Sequence, residues 1–165
     1  MCQRMSKKVV QSVAESMSAE SNALTGEFER TLDPKKRLTI PSEWRRAMGD
    51  PDFVYVIRDR NGKCLDLLPK AEMESLVEKL RRKALFDPAL TKAGMIIGAN
   101  SEQLMIDVQG RIRISDKLLQ FANLTTTVVM AGSVRMAKLW NPEDSAAETS
   151  GSLSDFNAAL DALEG

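Results

Sequence analysis

Apolar and polar positions alternate with a period of two in several short runs, and the same succession of runs occurs twice. Over 26–32 the chain reads GEFERTL, a short strand with Phe28, Arg30 and Leu32 on one side. After a four-residue break, Leu38 and Ile40 face one way while Arg37 and Thr39 face the other. Later in the chain Ile112 and Ile114 oppose Arg111 and Arg113 in the same manner. Period two with one apolar face marks a half-buried strand. FVYVIR and TVVMAG read as further strands, with CLDLLP and AKLWNP as their partners, and Asn61-Gly62 reads as a hairpin turn. Between the two halves the period changes. Met73, Leu76, Val77, Leu80 and Ala84 recur at three and four, which predicts an amphipathic helix. Asp87-Pro88, a cap followed by proline at the first helical position, opens a second helix over roughly 88–97 that carries Leu90, Ala93 and Ile97.

The two halves align at an offset of 74 residues. DPKKRLTIP at 33–41 corresponds to DVQGRIRIS at 107–115, SEWRRAMG at 42–49 to DKLLQFAN at 116–123, and FVYVI at 53–57 to TVVMA at 127–131. LDLLP at 65–69 falls on KLWNP at 138–142 once one residue is dropped. A constant offset over consecutive elements points to an internal duplication. In each half an aspartate, Asp33 or Asp107, opens a turn in which its carboxylate accepts a backbone N–H. The fourth turn position wants a positive φ. Gly110 supplies it without steric cost, whereas Lys36 incurs a modest one. Ser42 and Asp116 are candidate helix caps, and Gly49 and Asn123 are candidate stops. Two such units joined by a helical pair make a mixed α/β or α+β domain.

The ends differ from this pattern. Residues 1–25 are rich in Ser, Met, Ala and Glu and read as a disordered or weakly helical leader; no apolar run there has the length of a secretory signal. No stretch approaches the ~20 apolar residues of a membrane span. The tail, 143–165, begins as a linker, and Ser154 would cap a short helix carrying Phe156, Leu160 and Leu163. The organisation is thus leader 1–25, first repeat 26–69, helical linker 70–98, second repeat 99–142 and tail 143–165.

Composition changes this picture less than the distribution of charge does. The 165 residues include 23 Lys+Arg, 23 Asp+Glu and no His, a net charge of zero. Absence of histidine removes imidazole-based triads, shuttles and metal sites. Cys2 and Cys64 have no CxxC spacing and read as free thiols of a reducing compartment. No phosphate-binding loop, nucleophile elbow or ligand cluster is present, so neither catalysis nor a cofactor or metal is expected. Zero net charge is a cancellation: 26–142 holds 20 basic and 15 acidic residues, a balance of +5, the tail is −6 and the leader +1. Residues 30–46 alone hold six basic side chains against two acidic. Basic residues on the outward face of a two-stranded ribbon suit the DNA major groove. The competing account is that Asp33–Arg37 and Asp107–Arg111 pair to stabilise their turns. Trp44 and Trp140 read as packing residues, and the basic run at Lys79 and 81–83 as complement to a helix dipole.

The doubled Asp-x-x-x-Arg hairpin, GEFERTLDPKKRLTIP and DVQGRIRIS, each followed by a short helix and ending in LDLLP or LWNP, resembles the MraZ family of bacterial transcriptional regulators over 26–142. The resemblance implies an α+β fold, a pseudo-two-fold swapped-hairpin β-barrel of two AbrB-like repeats with flanking and linking helices. It implies a homo-oligomeric ring of about eight subunits. It also implies binding of double-stranded DNA at promoter direct repeats of the division and cell-wall gene cluster, usually as a repressor, in the cytoplasm and on the nucleoid. Carried over, the DNA-binding residues are Arg37, Lys35, Lys36, Arg111 and Arg113. Lys36 and Ser115 depart from the family's usual glycine and proline, and members commonly start close to the Gly-Glu pair. The alternative is an oligomeric protein-interaction module without DNA binding.

Overall fold

The computed structural model describes residues 22–60, 62–149, 151 and 153–165. The leader therefore lies almost wholly outside the described residues, as do Cys2 and Asn61. The fold is α+β. Its strands are β1 (Glu27–Thr31), β2 (Arg37–Thr39), β3 (Phe53–Arg58), β4 (Leu65–Leu68), β5 (Ser101–Met105), β6 (Arg111–Arg113), β7 (Thr127–Gly132) and β8 (Ala137–Trp140). Its helices are α1 (Ser42–Ala47), α2 (Lys70–Ala84), α3 (Pro88–Ala99), α4 (Asp116–Phe121), α5 (Pro142–Thr149) and α6 (Leu153–Glu164).

Six strands form one sheet in the order β1-β7-β8-β4-β3-β5, and β2 pairs with β6 in a separate ribbon. All these pairings are antiparallel. The hairpins reach across the halves: β1 pairs with β7, and β5 with β3. Glu27 lies opposite Ala131 and Ser101 opposite Ile57, so moving along the chain by 74 residues converts one register into the other. Two cross-strand pairs sit on the line relating the halves, Leu38–Ile112 in the ribbon and Asp66–Lys138 in the sheet. β4 and β8 are separated by 72 residues, so two residues, not one, drop out of the alignment there. The pairs Leu65–Leu139 and Leu67–Ala137 show why: they exchange under a shift of 72.

The core collects the apolar face of every strand. Leu38, Ile40, Ile112 and Ile114 from the ribbon are buried together with Val54, Val56, Leu65, Leu67, Met130 and Leu139 from the sheet. β4 is buried along its whole length, as a central strand should be. Trp44 of α1 is buried against the edge of Phe28, with ring centroids 5.4 Å apart and planes at 87°, and its indole N–H donates to the Thr25 carbonyl at 2.7 Å. Trp140 is half-buried.

Several local expectations need correction. Ser42 does not cap α1: Pro41 occupies that place and offers no side-chain acceptor. In the second half the cap is Ser115, one residue before Asp116, and its hydroxyl accepts from Leu118 N. The start of the tail is helix α5 and not linker. Asn141 Oδ1 accepts from Glu143 N at 2.9 Å, Pro142 suits the first turn, and Glu143 and Asp144 favour the positive helix end. α6 begins at Leu153, ahead of Ser154. Asp87 does cap α3, accepting from Ala89 N at 3.0 Å. The β3–β4 connection spans residues 59–64, longer than a two-residue turn.

Gly132 ends β7 where segment 22–26 crosses it. A Cβ there would lie 2.4 Å from the Leu24 carbonyl oxygen, which belongs to a backbone held by the Leu24–Val134 bridge. Gly132→Ala should therefore destabilise the fold by about 1–3 kcal/mol, read as a lower urea midpoint at unchanged slope.

Candidate nucleic-acid interface

The β2–β6 ribbon has two unlike faces. Leu38 and Ile112 are fully buried beneath it. The alternation that buries them turns Arg37, Thr39, Arg111 and Arg113 outward, with Arg37 opposite Arg113 and Thr39 opposite Arg111. The flanking turns are stitched into the other half's strand, since Ile40 N donates to Gly110 O at 2.9 Å and Ile114 N to Lys36 O at 3.0 Å. Both turns, and the basic residues on them, are thereby fixed to one short ribbon.

Each turn is built on its aspartate. Asp33 Oδ1 accepts from Lys35 N at 2.9 Å and Arg37 N at 2.8 Å, while Oδ2 accepts from Arg37 Nε at 2.5 Å. Asp107 repeats the arrangement with Gln109 N at 2.9 Å, Arg111 N at 3.0 Å and Arg111 Nε at 2.8 Å. The four-residue spacing of the motif is the spacing at which one carboxylate can hold a turn's amides and the arginine that follows them. Lys36 and Gly110 occupy matching positions with φ of 61° and 79°. Gly110 has a second reason to be glycine: a Cβ there would meet the Arg45 guanidinium at 2.5 Å. The residue matching Arg45 in the second half is Leu119, so only the second turn meets a guanidinium there.

The five basic residues singled out in the sequence fall into two groups. Arg37 and Arg111 are half-buried and ion-paired within their own motifs, and Arg111 Nη1 also lies 4.0 Å from Asp33. Lys36 is exposed and paired with Asp116. Lys35 and Arg113 are exposed, and among the described residues neither is within ion-pair distance of a carboxylate. Arg113 still lowers the Asp116 carboxyl, after the larger effect of Lys36. Arg45 was visible in the sequence as part of a basic segment, yet nothing in the pattern placed it over the opposite turn. Its helix position carries it there, with Nε donating to Ile40 O at 3.3 Å.

The motif carboxyls titrate below their ordinary value of 3.8. For Asp33, partial desolvation pushes upward, but the Arg37 amide and guanidinium and the Lys35 amide outweigh it. For Asp107 the Arg111 amide is the leading cause, with desolvation opposing it. A carboxyl held below its unfolded value stabilises the fold above that value, and the contribution disappears as pH falls through the folded pKa. Acidification below 3.8 should therefore loosen both turns. Asp107→Asn should flatten the fall of the urea midpoint between pH 5 and pH 2; an unaltered fall would remove this residue from the acid response.

A second cluster lies at the opposite end of the symmetry line. Lys138 Nζ donates to Asp59 at 2.6 Å and Asp66 at 2.7 Å, beside the buried Cys64 thiol. Burial raises Asp66 to about 6, although Lys138 pulls the other way. Burial, with Asp59 and Asp66 nearby, pushes Cys64 up to about 12. A protonated thiol and a lysine ammonium already seated between the carboxylates make this a poor cation site, although Asp59, Cys64 and Asp66 have the proximity of metal ligands. Among the described residues no helix is long and apolar enough to cross a membrane.

No protein-family model matches the chain. Individual relatives do. It is 30% identical over 138 residues to the transcriptional regulator MraZ of Leuconostoc mesenteroides, a match covering 84% of this chain and 94% of that protein. It is 31% identical over 118 residues to the protein of the same name from Mycoplasma mobile, covering 72% of this chain and 79% of the relative. A third such relative, from Saccharopolyspora erythraea, is 30% identical over 118 residues, covering 72% and 80%.

Proposed function

The chain belongs to the MraZ family of transcriptional regulators, and from that membership we propose that it regulates transcription by binding double-stranded DNA through the outward face of the β2–β6 ribbon. The observation that carries this reading is that face itself: Arg37, Arg111 and Arg113 beside Thr39, flanked by Lys35 and Lys36, on a rigid two-stranded element. A ribbon of this width enters the major groove. Lys35 and Arg113 meet phosphate or base edges first, because their charges are uncommitted. Arg37 and Arg111 hold their turns with Nε and offer their remaining guanidinium N–H groups outward.

We further propose that residues 26–69 and 99–142 are two copies of one swapped-hairpin unit forming a β-barrel, with 70–98 as linker. One ribbon makes few phosphate contacts and binds weakly with strong salt dependence. A ring of about eight subunits on promoter direct repeats gains avidity of roughly 10²–10⁴ through effective concentration. In this reading the target is the promoter of the division and cell-wall gene cluster, the effect is repression, and the protein acts in the cytoplasm on the nucleoid. The pairing of Lys36, Arg37 and Arg111 with carboxylates favours a second reading, an oligomeric protein-interaction module in which those charges only build turns.

A gel shift with the DNA upstream of the chain's own gene separates the two. Binding that needs repeats, weakens with salt and falls for Lys35→Ala and Arg113→Ala supports the regulator. Absence of binding to that DNA and to unrelated duplexes at low salt supports the module.

A further inference from the structure

Two apolar surfaces of this chain have nothing on them. The first is the outer side of the helical hairpin. α3 reads PALTKAGMIIGA, with Lys92 as its sole charge, and none of its residues is buried. Leu90, Ala93 and Ile97 are half-buried on its inner side. Met95 and Ile96 are exposed, at 72% and 56%, and so are Leu85 and Phe86 in the α2–α3 turn, at 80% and 90%. A helix apolar on every side is ordinarily a covered one, and four large apolar side chains in one hairpin exceed scattered surface exposure. The second surface is on α6. Leu153, Phe156, Leu160 and Leu163 recur at three, four and three and form a stripe, yet every residue of α6 is exposed.

Their charges are opposite. Residues 79–99 hold five basic side chains and one acidic, concentrated at Arg81, Arg82 and Lys83 beside the turn. α6 holds Asp155, Asp161 and Glu164 and nothing basic. Within one chain the two surfaces leave each other open. Only three residues, 150–152, connect α6 to α5, and α5 is rooted on the sheet through the buried Ser145 and its packing against β7.

We propose that α6 of one copy packs its apolar stripe onto the Leu85–Phe86 turn and the Met95–Ile96 face of a second copy, with its acidic edge beside the basic end of that copy's α2. The arm and its receiver are different surfaces, so each copy both gives and accepts. Such a contact is head-to-tail, and repetition of it closes a ring or extends a filament. The inference rests on the oligomeric part of the function proposed above and not on DNA binding. It assigns the acidic tail to the helical hairpin and leaves the DNA-facing ribbon clear.

The test uses the full chain carrying Cys2→Ser, with Cys64 left in the core. Two differently tagged forms, Leu160→Cys and Met95→Cys, are co-expressed and treated with a short bifunctional maleimide. A mixed-tag covalent dimer, with none formed by either variant alone, is the expected result. Light scattering should show that Phe156→Asp and Met95→Asp each weaken assembly by at least about tenfold, the loss of roughly one buried apolar side chain, with circular dichroism unchanged. Cross-linking within one chain carrying both cysteines, at monomer mass and independent of concentration, overturns the proposal in favour of an internal clasp. A Leu160–Leu160 product overturns it in favour of paired arms. An oligomer whose mass ignores both aspartate variants overturns this contact alone, whereas a wild-type monomer at all concentrations removes the ring as well.

Discussion

Arg37→Ala should abolish binding to the repeat-containing DNA upstream of the gene while leaving subunit assembly intact. The substitution removes one of three outward arginines on the ribbon and also changes what remains. Asp33 loses its ion-pair partner, so a carboxylate is bared on the face that meets phosphate, and Arg111, with Nη1 4.0 Å from Asp33, is the nearest cation to be drawn toward it. Arg37→Lys should give an intermediate loss, because it keeps the charge but not the fork that binds carboxylate and base edge together. Arg111→Ala should have a smaller effect. The first turn carries Lys35 and Lys36, where the second carries Gln109 and Gly110, so the first hairpin holds more of the positive charge. Unchanged affinity of Arg37→Ala, with mass and circular dichroism preserved, would refute the assignment. A uniform loss across all sequences would make Arg37 a phosphate contact and not a reader of bases.

Trp44→Ala should cost about 3–5 kcal/mol of stability. The indole is among the largest fully buried side chains, and its removal empties space between α1 and β1. It also takes away the edge contact to Phe28 and the hydrogen bond to Thr25 that ties segment 22–26 to the body. That segment makes the Leu24–Val134 bridge beside β7, so the loss should spread to the sheet edge. Chemical unfolding measures the total, and hydrogen exchange at Leu24 and Val134 should rise first. Trp44→Phe keeps most of the volume and should recover more than half of the loss. Stability near wild type for Trp44→Ala would mean that the site collapses and that the indole is not the anchor.

The elements themselves were readable because their causes are local. The period of two in Arg37–Thr39 and Arg111–Arg113, the Asp-Pro opening of α3 and the positive φ wanted at Lys36 and Gly110 follow from neighbouring residues. Where a neighbour one place away competed for the same role, the reading slipped. Ser115 and not Asp116 caps α4, because its hydroxyl reaches Leu118 N. Asn141-Pro-Glu-Asp starts a helix in what looked like linker, although all four residues are helix-start types. The clustering of basic residues was legible as well. Their state was not: whether Arg37 is a free cation or half of an ion pair depends on the direction of its side chain, and only the turn's closure aims it at Asp33.

By itself the sequence determined that this chain has two halves at an offset of 74, each with an Asp-x-x-x-Arg turn, and that a basic body is offset by an acidic tail. Those are properties of order along the chain. The tertiary structure decided which strand meets which: β1 with β7, β5 with β3, and β2 with β6, all pairings across halves that no local signal encodes. It also decided that three guanidinium groups share one outward face, because burial of Leu38 and Ile112 leaves them no other side. Alternation fixes what a strand hides, and long-range pairing fixes what its other face assembles.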